Sequence, residues 1–101
     1  MVAKLIVLYT NIKDAEKFDD YYRNVHVPLA KKIPGVRKIV ISKVKSVAVG
    51  KSDHYQVVEV YFDDMDSLRR AGNSREAKEA TDDGLSLDPK LCVLVAEEES
   101  M

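Results

Sequence analysis

With a single cysteine, Cys92, the chain cannot form an internal disulfide, and a zinc site would be left with histidine and carboxylate ligands. That usage suits a reducing compartment, so a cytoplasmic location is expected. Charge of one sign is also missing: 16 Lys and Arg stand against 17 Asp and Glu, a formal net charge of -1. This balance gives no electrostatic reason to bind nucleic acid or an anionic membrane, and neither is expected as a partner. The apolar run from Val2 to Tyr9 is far too short to span a bilayer and too short for a secretory leader, so an intact, unanchored chain is expected. Metal-ligand spacing, a nucleophilic triad and a phosphate-binding glycine loop are all absent. No metal and no cofactor is therefore expected, and neither His26 nor His54 differs visibly from an unliganded histidine.

What is present fits one domain over residues 1–101. The 101 residues are 46% hydrophobic and 33% charged, enough to bury roughly two-thirds of the unfolded surface. Val2 to Thr10 is an aliphatic run of strand length, closed by turn-forming Asn11 and Asp14. Asp14 suits a helix N-cap, and from Ala15 the apolar residues Phe18, Tyr22, Val25, Leu29 and Ile33 recur at helical spacing before Pro34-Gly35 ends the helix. His26 lies roughly 60° from the middle of that stripe at about 100° per residue, flanked by Tyr22 and Ala30 one turn away on either side. Pro28 follows inside the same helix. It lacks the N–H that would bond the Asn24 carbonyl and disfavours helical geometry at Val27. A histidine, which titrates near neutrality, beside a locally opened helix is a candidate for proton chemistry.

Val36 to Val47 reads as a strand broken by lysines, as an edge would be, and His54 to Phe62 as a third strand. Its alternation puts Tyr55, Val57, Glu59 and Tyr61 on one face and Gln56, Val58, Val60 and Phe62 on the other. Asp63, Asp64 and Asp66 open a short helix ending at Gly72; Asn73 or Ser74 caps a further helical piece from Glu76 to Asp83, closed by Gly84. Lys90 to Ala96 carries an unbroken apolar run expected of a strand buried on both faces. The order βαββαβ predicts an α+β, ferredoxin-like antiparallel sheet with its helices on one face. Strands one, three and four are nevertheless apolar in both registers. The second face therefore needs a cover, and a second copy of the chain in an isologous dimer supplies one.

Lys4-Leu5-Ile6-Val7-Leu8-Tyr9, then Phe18 with Tyr21-Tyr22 leading into Val25-His26-Val27-Pro28-Leu29 and Ile33-Pro34-Gly35-Val36, resembles the EthD family of dimeric α/β-barrel proteins. Val58-Glu59-Val60-Tyr61-Phe62-Asp63 is similar to that family's third strand. The resemblance implies a homodimer whose two sheets form a barrel, with a pocket in each subunit between helices and sheet. It maps the family's histidine onto His26, and its strand carboxylate and aromatic onto Glu59 and Tyr61, with tyrosine where tryptophan is common. Similar barrels include cofactor-free monooxygenases of polyketide quinols, muconolactone isomerases and haem-degrading enzymes. The expected function is to bind, and to transform without cofactor, a small hydrophobic oxygenated compound of lactone, phenol or quinol type. In that reading His26 moves the proton while Tyr22, Glu59 and Tyr61 shape the pocket. The alternative is a non-catalytic binding or accessory module of a catabolic pathway. An RNA-recognition domain shares the strand order, but Gln56 to Phe62 lacks the basic, glycine-containing aromatic signature such domains use.

Overall fold

The computed structural model describes all 101 residues. Four strands, β1 (Ala3–Thr10), β2 (Lys38–Lys43), β3 (His54–Phe62) and β4 (Cys92–Glu97), form one antiparallel sheet in the order β2-β3-β1-β4. This is the ferredoxin-like arrangement read from the sequence. Between β1 and β2 run α1 (Ala15–Tyr21), a π-helical turn (Tyr22–His26) and α2 (Val27–Lys31); α3 (Met65–Gly72) and α4 (Arg75–Leu87) precede β4. Asp14, Asp64 and Ser74 cap α1, α3 and α4, their side chains accepting from the N–H groups of Lys17, Ser67 and Ala77.

Register decides which face forms the core. Ala3, Leu5, Val7 and Tyr9 pair with Phe62, Val60, Val58 and Gln56, and this set lies under the helices. Ile6 and Leu8 pair with Glu59 and Val57, on the face no helix covers. Between Tyr9 and Thr10 the register slips, and this irregularity turns Tyr55 out of the expected alternation. Its ring packs edge-on against Phe18 and its hydroxyl donates to Asp19 at 3.0 Å, on the helix side.

The first helix departs most from the expected pattern. Its buried residues are Phe18, Tyr22, His26, Ala30 and Ile33, while Val25 is 41% exposed and Leu29 only half-buried. Three successive steps of four residues overshoot the α-helical turn by about 40° each, so a regular α-helix would carry Ala30 about 120° away from Phe18. The π turn absorbs that overshoot, Val27 N–H bonding to the Tyr22 carbonyl five residues back. Pro28 sits immediately after this widened turn, in the first turn of α2. The expected break at Val27 does not occur: its φ of -58° and ψ of -44° are helical, and the helix accommodates proline by widening.

Two further expectations are corrected. Gly84 does not close the last helix, which continues to Leu87. β4 is not buried on both faces; as an edge strand it leaves Val93, Leu94 and Val95 between 43% and 56% exposed. No helix is long and apolar enough to cross a membrane.

Candidate functional site

The helices and the sheet enclose a cavity of about 100 Å³ whose lining is mostly aliphatic, including Val7, Val58, Leu68 and Ala80. Four polar side chains reach its wall: Tyr9 from β1, Tyr22 and His26 from the π turn, and Thr81 from α4. The π turn makes this grouping possible, because it keeps Tyr22 and His26 on one face, with their rings stacked at 4.7 Å between centroids. Tyr9 meets Tyr22 edge-on at 5.3 Å.

His26 is 7% exposed, and its Nδ1 lies 2.8 Å from Oδ2 of Asp83 on α4. The hydroxyl of Tyr21 donates to the other Asp83 oxygen at 2.5 Å. An ionised carboxylate only accepts, so Nδ1 must carry the proton; in the neutral ring Nε2 is then the free acceptor. Nε2 makes no hydrogen bond within the chain. Asp83 thus orients the imidazole and is itself held by Tyr21.

The neighbouring phenols stay protonated. Burial pushes the Tyr22 hydroxyl up to about 12, with Tyr9 offsetting part of the effect. Tyr9 is raised further, by burial first and then by Tyr22 and the Asp83 and Asp88 carboxylates. Tyr21 is raised mainly by the hydrogen bond it gives Asp83. These groups can donate hydrogen bonds near neutrality, which leaves His26 as the only basic side chain on the cavity wall. No three His, Cys, Asp or Glu side chains converge as metal ligands would.

Residues 13–86 match the sequence profile of the EthD domain. The chain belongs to the EthD family. An EthD-family protein of Bacillus halodurans C-125 (bh0200) is 36% identical, with a TM-score of 0.89 over 98% of this chain and 100% of the other. The 11.0 kDa protein of the thcB-thcC intergenic region of Rhodococcus erythropolis is 28% identical over 79% of this chain and 78% of its own length. More distant solved structures share the fold alone. They include a dimeric ferredoxin-like protein of Thermobifida fusca (12% identical, TM-score 0.69, covering 97% and 92%) and a mutant form of SnoaB, a cofactor-independent oxygenase of Streptomyces nogalater (13%, TM-score 0.67, covering 99% and 94%).

In this EthD protein the four site residues expected from the sequence do not share one pocket. Tyr22 and His26 line the cavity, but Glu59 and Tyr61 project from the opposite face of β3. There Glu59 pairs with Lys4 at 2.7 Å, Lys4 also reaches Glu98 at 3.3 Å, and Tyr61 lies under the ammonium groups of Lys4 and Lys38. The physical reason is the two-residue period of a strand: Glu59 and Tyr61 share a face with each other and not with Val58 and Val60. Sequence reasoning also missed Asp83 and Tyr9. Asp83 stood as one carboxylate among several at the end of a helical piece, 57 residues from His26, and only tertiary packing joins them.

Proposed function

We propose that this EthD protein binds a small hydrophobic oxygenated compound in the cavity beside His26 and moves a proton on it without a cofactor. The observation that carries this reading is the buried imidazole anchored through Nδ1 on Asp83, with Nε2 unbonded, on the wall of an apolar cavity. In this scheme Nε2 takes a proton from a phenol hydroxyl or from a carbon next to a carbonyl, and returns it at another position. Asp83 stabilises the imidazolium formed in between, and the Tyr9, Tyr22 and Thr81 hydroxyls on the cavity wall supply donors for an oxygen. The cofactor-independent oxygenase among the fold relatives agrees with chemistry run by side chains alone. Size narrows the ligand class. A cavity near 100 Å³ is smaller than the roughly 150 Å³ that holds a benzene ring, which favours small lactones over phenols and disfavours polycyclic quinols most.

The protein acts in this reading as a homodimer, as the fold relatives described as dimeric support. The exposed thiol of Cys92 fits a reducing cytoplasm. The test is a screen of small lactones and phenols, read by the imidazole resonances of His26 and followed by turnover assays. His26→Asn keeps a donor toward Asp83 but has no titrating nitrogen. It should still bind a ligand found this way, within about tenfold, and lose at least about a hundredfold in turnover, the usual scale of a general base. Unchanged turnover in that variant would refute the catalytic role. Binding with no turnover in either protein would leave an accessory binding module as the correct reading.

A further inference from the structure

Gly84 is buried inside α4, where glycine is the poorest helix former after proline. Nothing in the backbone asks for it there. The glycines that need a positive φ are Gly35 and Gly50, and α4 runs on past Gly84 to Leu87. What the missing side chain leaves is room. A Cβ at this position would stand 3.0 Å from Leu91 Cδ2, 3.4 Å from the Tyr9 hydroxyl and 3.6 Å from His26 Cε1. Leu91 is met only at the end of a flexible side chain that can turn aside, so its packing does not by itself demand glycine.

The other two neighbours are the polar groups of the cavity. Cε1 is the ring carbon bonded to Nε2, the imidazole nitrogen left without a partner on a side chain that is 7% exposed. The Tyr9 hydroxyl is a donor. A base and a donor thus converge on bare backbone of α4, and the rest of that helix's cavity face is nearly as small, being Ala77, Ala80 and Thr81.

We propose that Gly84 is the specificity-determining residue of this cavity: the oxygen-bearing edge of a small cyclic ester lies against its Cα, between the Tyr9 hydroxyl and His26, and the upper limit on ring size is set there. This rests on the binding of an oxygenated ligand beside His26 proposed above. Without a Cβ, the ligand edge comes closer to α4 than any other residue would allow. There the ester oxygen accepts from Tyr9 while the neighbouring carbon faces Nε2. A methyl group at position 84 would hold the edge away from both, and the largest ring the site admits would shrink.

The experiment measures the affinity of γ-butyrolactone, δ-valerolactone and ε-caprolactone, each one methylene larger than the last, by NMR shift titration of the ¹⁵N-labelled protein. The wild type should bind at least the smallest, with shifts at the His26 imidazole and the Gly84 N–H. In Gly84→Ala the largest lactone that the wild type binds should lose at least about tenfold in affinity, the lower end of what one methylene is worth in a pocket, and any smaller ring should lose less. Gly84→Ala/Leu91→Val removes the 3.0 Å contact and keeps the methyl group beside Tyr9 and His26. Compared with Leu91→Val alone it should show the same size-dependent loss, and it carries the test if Gly84→Ala does not fold. Affinities in Gly84→Ala equal to those of the wild type would overturn the proposal, as would a loss that disappears in the Leu91→Val background, since the glycine would then only seat Leu91. In either case lactone binding by the wild type would stand. A wild type that binds none of the three would instead end the proposed ligand class, and this inference with it.

Discussion

At the residue scale, the room around His26 is set by Gly84. A Cβ built there would stand 3.0 Å from Leu91 Cδ2, 3.4 Å from the Tyr9 hydroxyl and 3.6 Å from His26 Cε1. Gly84→Ala should gain about 1 kcal/mol of helix propensity and lose a similar amount in crowding Leu91, for a net change within about 1 kcal/mol by urea unfolding. The imidazole resonances of His26 should nevertheless move, because the methyl group faces the ring. A loss above about 2 kcal/mol would mean that Leu91 cannot yield. Asp19 carries a pH dependence. Burial raises its pKa, but the hydrogen bonds from Lys43 and Tyr55 outweigh that and hold it below its ordinary 3.8. A carboxyl lowered by folding contributes stability that is complete above 3.8 and is lost as pH falls below that toward its folded value. Asp19→Asn should therefore reduce stability at neutral pH and flatten the decline below pH 4, as thermal melts across pH would record. His26 was legible in the sequence because a histidine beside a helical proline stands out. Asp83 was not, since nothing local marks a carboxylate that will meet a histidine two elements away.

At the element scale, the π turn is what a reading by regular period could not supply. Periodicity at 3.6 residues selects Val25 and Leu29 for the buried stripe, and one extra residue in the turn hands those places to His26 and Ala30. Pro28→Ala tests how the turn is held. Alanine restores a donor and removes the ring's clash, so thermal stability should be unchanged or higher. If the four-residue spacing of the packed side chains holds the turn, the backbone shifts of Tyr22 to His26 should stay where they are. If proline holds it, they should move toward α-helical values while His26 turns from Asp83. A marked drop in melting temperature would instead make Pro28 a structural necessity. The alternation within the strands was read with fewer errors because a period of two has little room to drift, and the slip at Tyr55 broke it; the extent of β2, expected from Val36 to Val47, shrank to Lys38–Lys43, and β4 lost its expected burial.

At the scale of the molecule, the face bearing Ile6, Leu8, Val57 and Leu94 is apolar at its centre and covered by no element of the chain. Leu94→Glu should turn a dimer at micromolar concentration into a monomer by analytical ultracentrifugation, with the fold intact by circular dichroism. Val58→Asp makes the contrast. Val58 is 2% exposed and faces the helices, so a charge there should prevent folding and not merely dissociate subunits. A wild-type monomer at micromolar concentration would remove the barrel. The sequence by itself determined the element order, the sheet that follows from it, the excess of apolar strand surface and the prominence of His26, because periodicity, caps and turn residues act over a few positions. Tertiary structure alone decided which face each candidate side chain occupies. It joined His26 to Asp83 and sent Glu59 and Tyr61 to the far side of the sheet, because each of these depends on residues brought together from distant parts of the chain.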